Sequence, residues 1–183
     1  HDIRTPMNAV LGFTTLLNTD AEEPAKVREY TGKIMASGQH LLSLINDILD
    51  VSKIESGKVV LNYEEFSLSS AAAAVCAIIQ PMAEAKGQTF QAEVTGVRND
   101  CLVGDETRIN QVLINLLSNA VKYTPEGGHI WLRITGLKQR SGQYEHIRIE
   151  VEDDGYGMTP EYLKIIFDAF TRAENSTTNK VQG

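Results

Sequence analysis

Two carboxamides and an ammonium stand at helical spacing in the stretch NQVLINLLSNAVKYTPEGG, Asn110 to Gly128. At about 100° per residue, Arg108, Gln111, Asn115, Asn119 and Lys122 share an arc of roughly 80°. Asparagine is a mediocre helix former, so two of them one turn apart on one face invite a chemical explanation. Their oxygens are neutral, hard ligands suited to Mg²⁺, and a lysine beside them is a point charge for phosphate. Taken alone, a solvated polar face accounts for the same residues.

Three further places carry groups that could do chemistry. In EDDGYGM, Glu152 to Met158, two glycines one residue apart allow a tight turn and close backbone approach to a ligand. Asp153, at the end of an alternating apolar run, can accept a hydrogen bond from an exocyclic amine such as that of adenine, although an Asp-Gly turn after a strand needs no function. At the start, His1 is a competent nucleophile when neutral, and Asp2 can fix its tautomer and take up developing positive charge. Adjacent helical residues do not face each other squarely, and a lone His-Asp pair is common by chance. At the far end, Phe167 and Phe170 have i, i+3 spacing and Arg172 follows. Two core aromatics before a frayed end account for that pattern, as does a hinge and lid with Arg172 reaching phosphate.

The elements that must position these groups can be read from periodicity. Ile109, Val112, Leu113, Leu116 and Ala120 form the expected core stripe of the asparagine-bearing helix. Residues 1–17 read as a helix with Ile3, Met7, Val10, Leu11 and Leu17 on one face and His1, Arg4, Thr5, Asn8 and Thr15 on the other, Pro6 disturbing its first turns. After the polar connection 18–24, a long helix to about Ser56 repeats Val27, Ile34, Leu41 and Ile48 every seven residues, with Tyr30, Leu44, Ile45, Leu49 and Val51 widening the stripe. A two-helix hairpin offers too little partner surface, so a second copy is expected to complete a four-helix bundle through residues 1–56. A boundary is expected near Gly57. Beyond it, Val59 to Phe66 reads as a strand, and Ser67 as the cap of a helix that runs to about Lys86 and stops at Gly87. Alternation at Phe90–Val94, Ile130–Ile134 and Ile147–Val151 predicts half-buried strands, and helices between them predict a two-layer α/β sandwich with a largely antiparallel sheet.

Composition narrows the function classes. A formal net charge of −7 argues against a nucleic-acid surface, which needs excess lysine and arginine. Cys76 and Cys101 lack metal-ligand spacing, which predicts buried free thiols in a reducing compartment. The apolar run Ala71 to Ile79 is far below the roughly 18 residues of a membrane span, and no signal-peptide pattern precedes His1, which predicts a soluble piece of something longer.

Taken in order, HDIRTPM resembles the phosphoacceptor box of bacterial two-component sensor histidine kinases, NQVLINLLSNAVKYT their asparagine box, DDGYGM their first glycine box and IFDAFTR their phenylalanine box. Four motifs in sequence cover most of the chain. The resemblance implies an α+β protein: an antiparallel helical hairpin of residues 1–57 for dimerisation and phosphotransfer, then an ATP-binding domain of the Bergerat type over residues 58–183, incomplete at its C-terminus. It implies that His1 is phosphorylated with Asp2 as the acid or base beside it, and that Thr5 orients water when a partner is dephosphorylated. Asn119, assisted by Asn115, would hold Mg²⁺; Lys122 and Arg172 would meet phosphates; Tyr123 and Phe170 would line the ATP pocket; Asp153, Gly155 and Gly157 would bind adenine. A response-regulator receiver domain is the implied partner, with kinase and phosphatase modes both open, and the setting is a cytoplasmic domain whose parent protein could be anchored in the cell membrane. The family's second glycine-rich loop should follow Gln182, where only Gly183 stands, so weak ATP binding is expected of this chain. The alternatives are an ATPase of the same fold, as in gyrase and related chaperones, and a non-catalytic dimeric signalling module. Such ATPases carry a glutamate one turn before the metal-binding asparagine, and Asn115, which cannot act as a base, occupies that place.

Overall fold

The computed structural model describes residues 3–138 and 144–166, and the chain divides into two compact units, residues 1–60 and 61–183. His1, Asp2, Phe170 and Arg172, named above as candidates, lie outside the described residues.

The first unit is a helical hairpin of α1 (Arg4–Thr19) and α2 (Pro24–Glu55). Pro6 falls in the first turn of α1, where a missing N–H leaves no ladder bond unmade. Pro24 opens α2 at a position its fixed φ suits. The turn between them is tied by Tyr30 Oη, which donates to Asp20 Oδ2 at 3.0 Å, and by Lys26 against Glu23 at 2.8 Å. Phe13 stacks on Tyr30 with ring centroids 6.0 Å apart. The α2 stripe Val27, Ile34, Leu41, Leu44, Ile48 and Val51 is half-buried, and no residue of α2 is fully buried. Met7, Leu11, Met35, Leu42, Ile45 and Leu49 remain exposed, so a single hairpin leaves a broad apolar surface in water.

In the second unit, β1 (Glu64–Ser67) pairs antiparallel with β3 (Cys101–Gly104), and a separate sheet has the order β2 (Thr89–Thr95), β4 (His129–Gly136), β5 (Ile147–Asp153). The helices α3 (Leu68–Ala85) and α4 (Glu106–Tyr123) supply the second layer, and α5 (Pro160–Leu163) is a single turn. Strand alternation sends Phe90 of β2 and Ile130, Leu132 and Ile134 of β4 into a core shared with Leu68, Ala71, Ala72, Val75, Ile79 and Ala83 of α3 and with Leu113, Leu117, Ala120 and Val121 of α4. By length and apolar composition α3 could cross a membrane; here one of its faces supplies six of the fifteen buried core residues among those described. Ser67 caps α3 by accepting from Ser70 N at 3.1 Å, and Gly87 ends its turn at φ +64°, as the sequence signals imply.

The hairpin followed by a two-layer α/β unit agrees with the expected architecture, with several corrections. The central β2–β4 pairing is parallel, Phe90 opposite Ile130 and Val94 opposite Ile134, because β3 and α4 carry the chain over between the two strands. Of the expected strand 59–66 only Glu64–Phe66 pairs, in a strand that runs on to Ser67; Val60 is 86% exposed and pairs with no strand among the described residues. The buried face of α4 is turned by roughly 70° from the expected stripe, so that Leu117 and Val121 replace Val112 and Leu116 in the core. Cys101 is exposed on a strand of the small sheet and Cys76 is half-buried, so both thiols are free but neither is sealed in the core.

Candidate functional site

The helix α4 is fixed at its start by Asp105, whose carboxylate accepts from Asn62 N and from Arg108 N, both at 3.0 Å. Those two backbone donors hold its carboxyl below the usual carboxylate range. From that cap the polar face runs Arg108, Gln111, Asn115, Asn119 and Lys122, with Arg108 Nη1 donating to Gln111 Oε1 at 2.8 Å. The carboxamides of Asn115 and Asn119 are exposed, two turns and one turn before the helix end. The Lys122 ammonium lies 5.5 Å from the centroid of the Tyr123 ring. A groove of about 460 Å³ borders this face, lined by Thr107, Asn110, Gln111, Ile114 and Asn115, and the buried Asn110 Oδ1 beside it has no hydrogen-bond partner among the described residues.

The turn after β5 is pressed onto the end of α4. Asp153 is the last residue of β5 and its Oδ1 accepts from Gly155 N at 3.0 Å, which fixes the plane of the carboxylate and leaves Oδ2 facing outward from that bond. Tyr156 N donates to Tyr123 O at 3.2 Å, so the strand-end turn is bonded to the last residue of α4. Gly155 is required sterically: a Cβ there would stand 2.5 Å from Tyr123 O and 2.7 Å from Asp153 Oδ1. Gly157 has open space around it and is required by its φ of +65°. Asp154 anchors the turn from the other side, accepting from His129 N at 2.7 Å and pairing with His129 Nδ1 at 2.9 Å; these contacts hold its carboxyl below the ordinary range.

The structure therefore brings Lys122 and Tyr123 to the Asp153, Gly155 and Gly157 turn, with Asn119 and Asn115 extending the same helix away from it. Thr5 is exposed on α1 in the other unit. Periodicity assigned Val112 and Leu116 to the core, yet they are 57% and 47% exposed. At 100° per residue they share an arc of roughly 60° with Asn119 and Tyr123, an apolar strip beside the polar face that suits a flat ligand. The signal that could have found them is Leu117 with Val121, an equally apolar i, i+4 pair competing for the core.

The donor set fits Mg²⁺ held together with a phosphate ligand. No group of three or more His, Cys, Asp or Glu side chains converges among the described residues, so a metal here would rest on neutral oxygens and on the ligand's own charge.

Residues 1–57 match the His Kinase A (phospho-acceptor) domain, and residues 104–183 match the family described as histidine kinase-, DNA gyrase B- and HSP90-like ATPase. The sensor protein GacS of Pseudomonas syringae pv. syringae is 38% identical over 183 residues, which are 100% of this chain and 20% of that protein. The chain thus spans about a fifth of the length of this curated relative. Among solved structures, the histidine kinase ThkA in complex with response regulator protein TrrA has a TM-score of 0.69 at 27% identity over 94% of this chain and 48% of that one. Full-length ShkA in complex with AMPPNP has a TM-score of 0.70 at 28% identity over 97% and 37%.

Proposed function

We propose that this chain, which belongs to the sensor histidine kinases and comprises their phosphoacceptor and ATPase domains, transfers the γ-phosphoryl group of ATP to His1 and from there to an aspartate of a response-regulator receiver domain. One observation carries the nucleotide half of this reading: the carboxamide and lysine face of α4 ends where the Asp153–Gly157 turn is bonded to it, so a phosphate-binding and a base-binding set share one helix end. Asp153 accepts from the adenine amino group through the oxygen that Gly155 does not occupy. Val112, Leu116 and Tyr123 cover the apolar faces of base and ribose, while Asn115, Asn119 and Lys122 meet the phosphates, joined by Arg172 and with Phe170 closing the pocket. Mg²⁺ bound with ATP supplies charge neutralisation at the transferred group, with Asn119 and Asn115 as its protein ligands.

In the transfer, an imidazole nitrogen of His1 forms a bond to the γ-phosphorus as the bond from phosphorus to the bridging oxygen breaks, and that electron pair leaves on ADP. Asp2 accepts the proton from the other ring nitrogen and stabilises the phosphorylated ring. The receiver aspartate then attacks the same phosphorus as the phosphorus–nitrogen bond breaks, Asp2 returns the proton to the ring, and His1 leaves as neutral imidazole. The exposed apolar face of the hairpin supports dimerisation through residues 1–56, and Thr5, one turn beyond His1, orients water when the phosphorylated partner is hydrolysed. Simple ATP hydrolysis by this site is disfavoured, because the exposed carboxamide of Asn115 cannot take a proton from water.

The test is label uptake from γ-labelled ATP by the parent protein, by His1→Gln and by Asn119→Ala. Label on the parent alone is expected; undiminished label on His1→Gln contradicts the assignment of the acceptor, and undiminished label on Asn119→Ala contradicts that of the metal ligand.

A further inference from the structure

The C-terminal end of α4 is closed by a segment that none of the four motifs includes. A helix ends in carbonyls without intrahelical donors. Ala120 O still receives Thr124 N at 3.0 Å, but the carbonyls of Val121, Lys122 and Tyr123 fall past the last turn. Lys86, just after α3, reaches across to them: its Nζ donates to Val121 O at 2.7 Å, Lys122 O at 2.9 Å and Thr124 O at 3.2 Å. Two residues on, the buried Gln88 donates from Nε2 to Val121 O at 2.9 Å and to Thr124 O at 2.5 Å. The remaining carbonyl, that of Tyr123, receives Tyr156 N from the nucleotide turn. All of the terminal carbonyls thus have donors, drawn from two different turns.

The turn between α3 and β2 is itself fastened to the turn between α4 and β4. Gly127 N donates to Gly87 O at 3.0 Å and Thr89 N to Gly128 O at 2.9 Å. Three turns, 86–89, 124–129 and 153–157, therefore meet at one helix end. An ammonium is the suitable group to collect several carbonyls, because it brings three donors and its charge opposes the negative end of the helix dipole. Burial lowers the Lys86 pKa, in keeping with a group partly withdrawn from water.

We propose that Lys86 and Gln88 are positioning residues of the nucleotide site: by closing the last carbonyls of α4 they hold Lys122 and Tyr123 against the Asp153–Gly157 turn. The proposal rests on the ATP reading above for its functional consequence, but its geometric half stands apart from it. Without Lys86, Lys122 O loses its donor and the carbonyls of Val121 and Thr124 keep only Gln88 Nε2, so the last turn of α4 loosens and the Tyr123 carbonyl shifts from where Tyr156 N can reach it. Asn115 and Asn119 lie further back, between the buried Leu113, Leu117 and Ala120, and stay in place. The loss should therefore fall on ATP binding more than on the transfer step.

Lys86→Met keeps the apolar stem and removes all three donors. In the protein without nucleotide, amide exchange at Tyr156 should accelerate about tenfold while Leu132 and Ile134 amides of β4 keep their rates. The KM for ATP in autophosphorylation should rise by about the same factor with kcat changed less than about twofold, and Lys86→Arg should restore most of both. Gln88→Met, which leaves Lys86 in place, gives the same local signature at about threefold and serves if Lys86→Met does not fold. Unchanged exchange at Tyr156, or acceleration spread evenly over β4 as well, overturns the positioning role. Failure of the parent protein, carried on beyond Gly183, to bind ATP overturns the functional reading instead, and the Tyr156 measurement, made without nucleotide, still decides the geometric one.

Discussion

Replacing Gly155 with alanine should weaken ATP binding by a margin that can be worked out from the turn. The added Cβ would stand 2.5 Å from Tyr123 O, 2.7 Å from Asp153 Oδ1 and 3.0 Å from Tyr123 C. A carbon comes no nearer to a carbonyl oxygen than about 3.3 Å without repulsion, so the turn must retreat by about 0.8 Å. The Tyr156 N to Tyr123 O bond, 3.2 Å in the parent, then passes beyond hydrogen-bonding range. Overpacking of this kind costs about 1–3 kcal/mol, and the lost bond is part of that sum. If the whole cost falls on the ATP-competent arrangement, affinity drops by roughly fivefold to 150-fold. Isothermal titration with Mg-ATP measures it, and a thermal melt of the same sample confirms that the variant is folded. ATP bound within twofold of the parent would refute the claim that the contact between this turn and α4 builds the base site.

Three further outcomes are expected. Asp153→Ala should cost about 1–3 kcal/mol of ATP binding and erase a preference for ATP over GTP, since guanine presents an acceptor where adenine presents a donor; equal affinity of parent and variant in the same titration contradicts this. Leu42→Asp with Ile45→Asp, both on the exposed apolar face of the hairpin, should convert a two-chain particle to one chain in light scattering, and an unchanged mass refutes the assigned interface. The Asp100 carboxylate accepts from Ser67 Oγ at 2.6 Å, Ser69 N at 2.8 Å and Ser69 Oγ at 2.6 Å, and these bonds lower its folded pKa below the unfolded value of about 3.9. Its stabilising contribution is thus present above that value and lost as pH falls through the folded pKa, so the difference in denaturation midpoint between parent and Asp100→Asn should be present at pH 7 and shrink below pH 4; a difference independent of pH contradicts the linkage.

Local signals in the sequence were sufficient wherever a residue acts on its own neighbourhood. Ser67 and Gly87 bracket α3 because capping and a positive φ are decided within a few residues. The polar arc of α4 was legible because helical periodicity alone brings Asn115, Asn119 and Lys122 to one side. Long-range choices were not legible in the same way. The alternation of Ile130 to Ile134 says which side chains face the core, whereas of Phe90 to Val94 only Phe90 is buried and Val94 is 41% exposed, and nothing in a period of two says that these strands run parallel as neighbours. The strand Cys101–Gly104 is four residues long and acquires its identity only from β1 across from it. On α4, apolar residues fill more than one face, so Val112 and Leu116 competed with Leu117 and Val121, and only packing against α3 and the sheet chose between them. Lys86 carried no signal at all: an exposed-looking lysine before a glycine gives no hint of carbonyls thirty-five residues and more away.

The central claim is that the γ-phosphoryl of ATP comes to rest on a nitrogen of His1, and a peptide map of protein labelled from γ-labelled ATP tests it most directly. The account predicts a single labelled peptide that contains His1, with the label stable in base and lost in acid, as a phosphoramidate requires. Label that survives acid on a serine or threonine, or steady phosphate release with none retained on the protein, would contradict it.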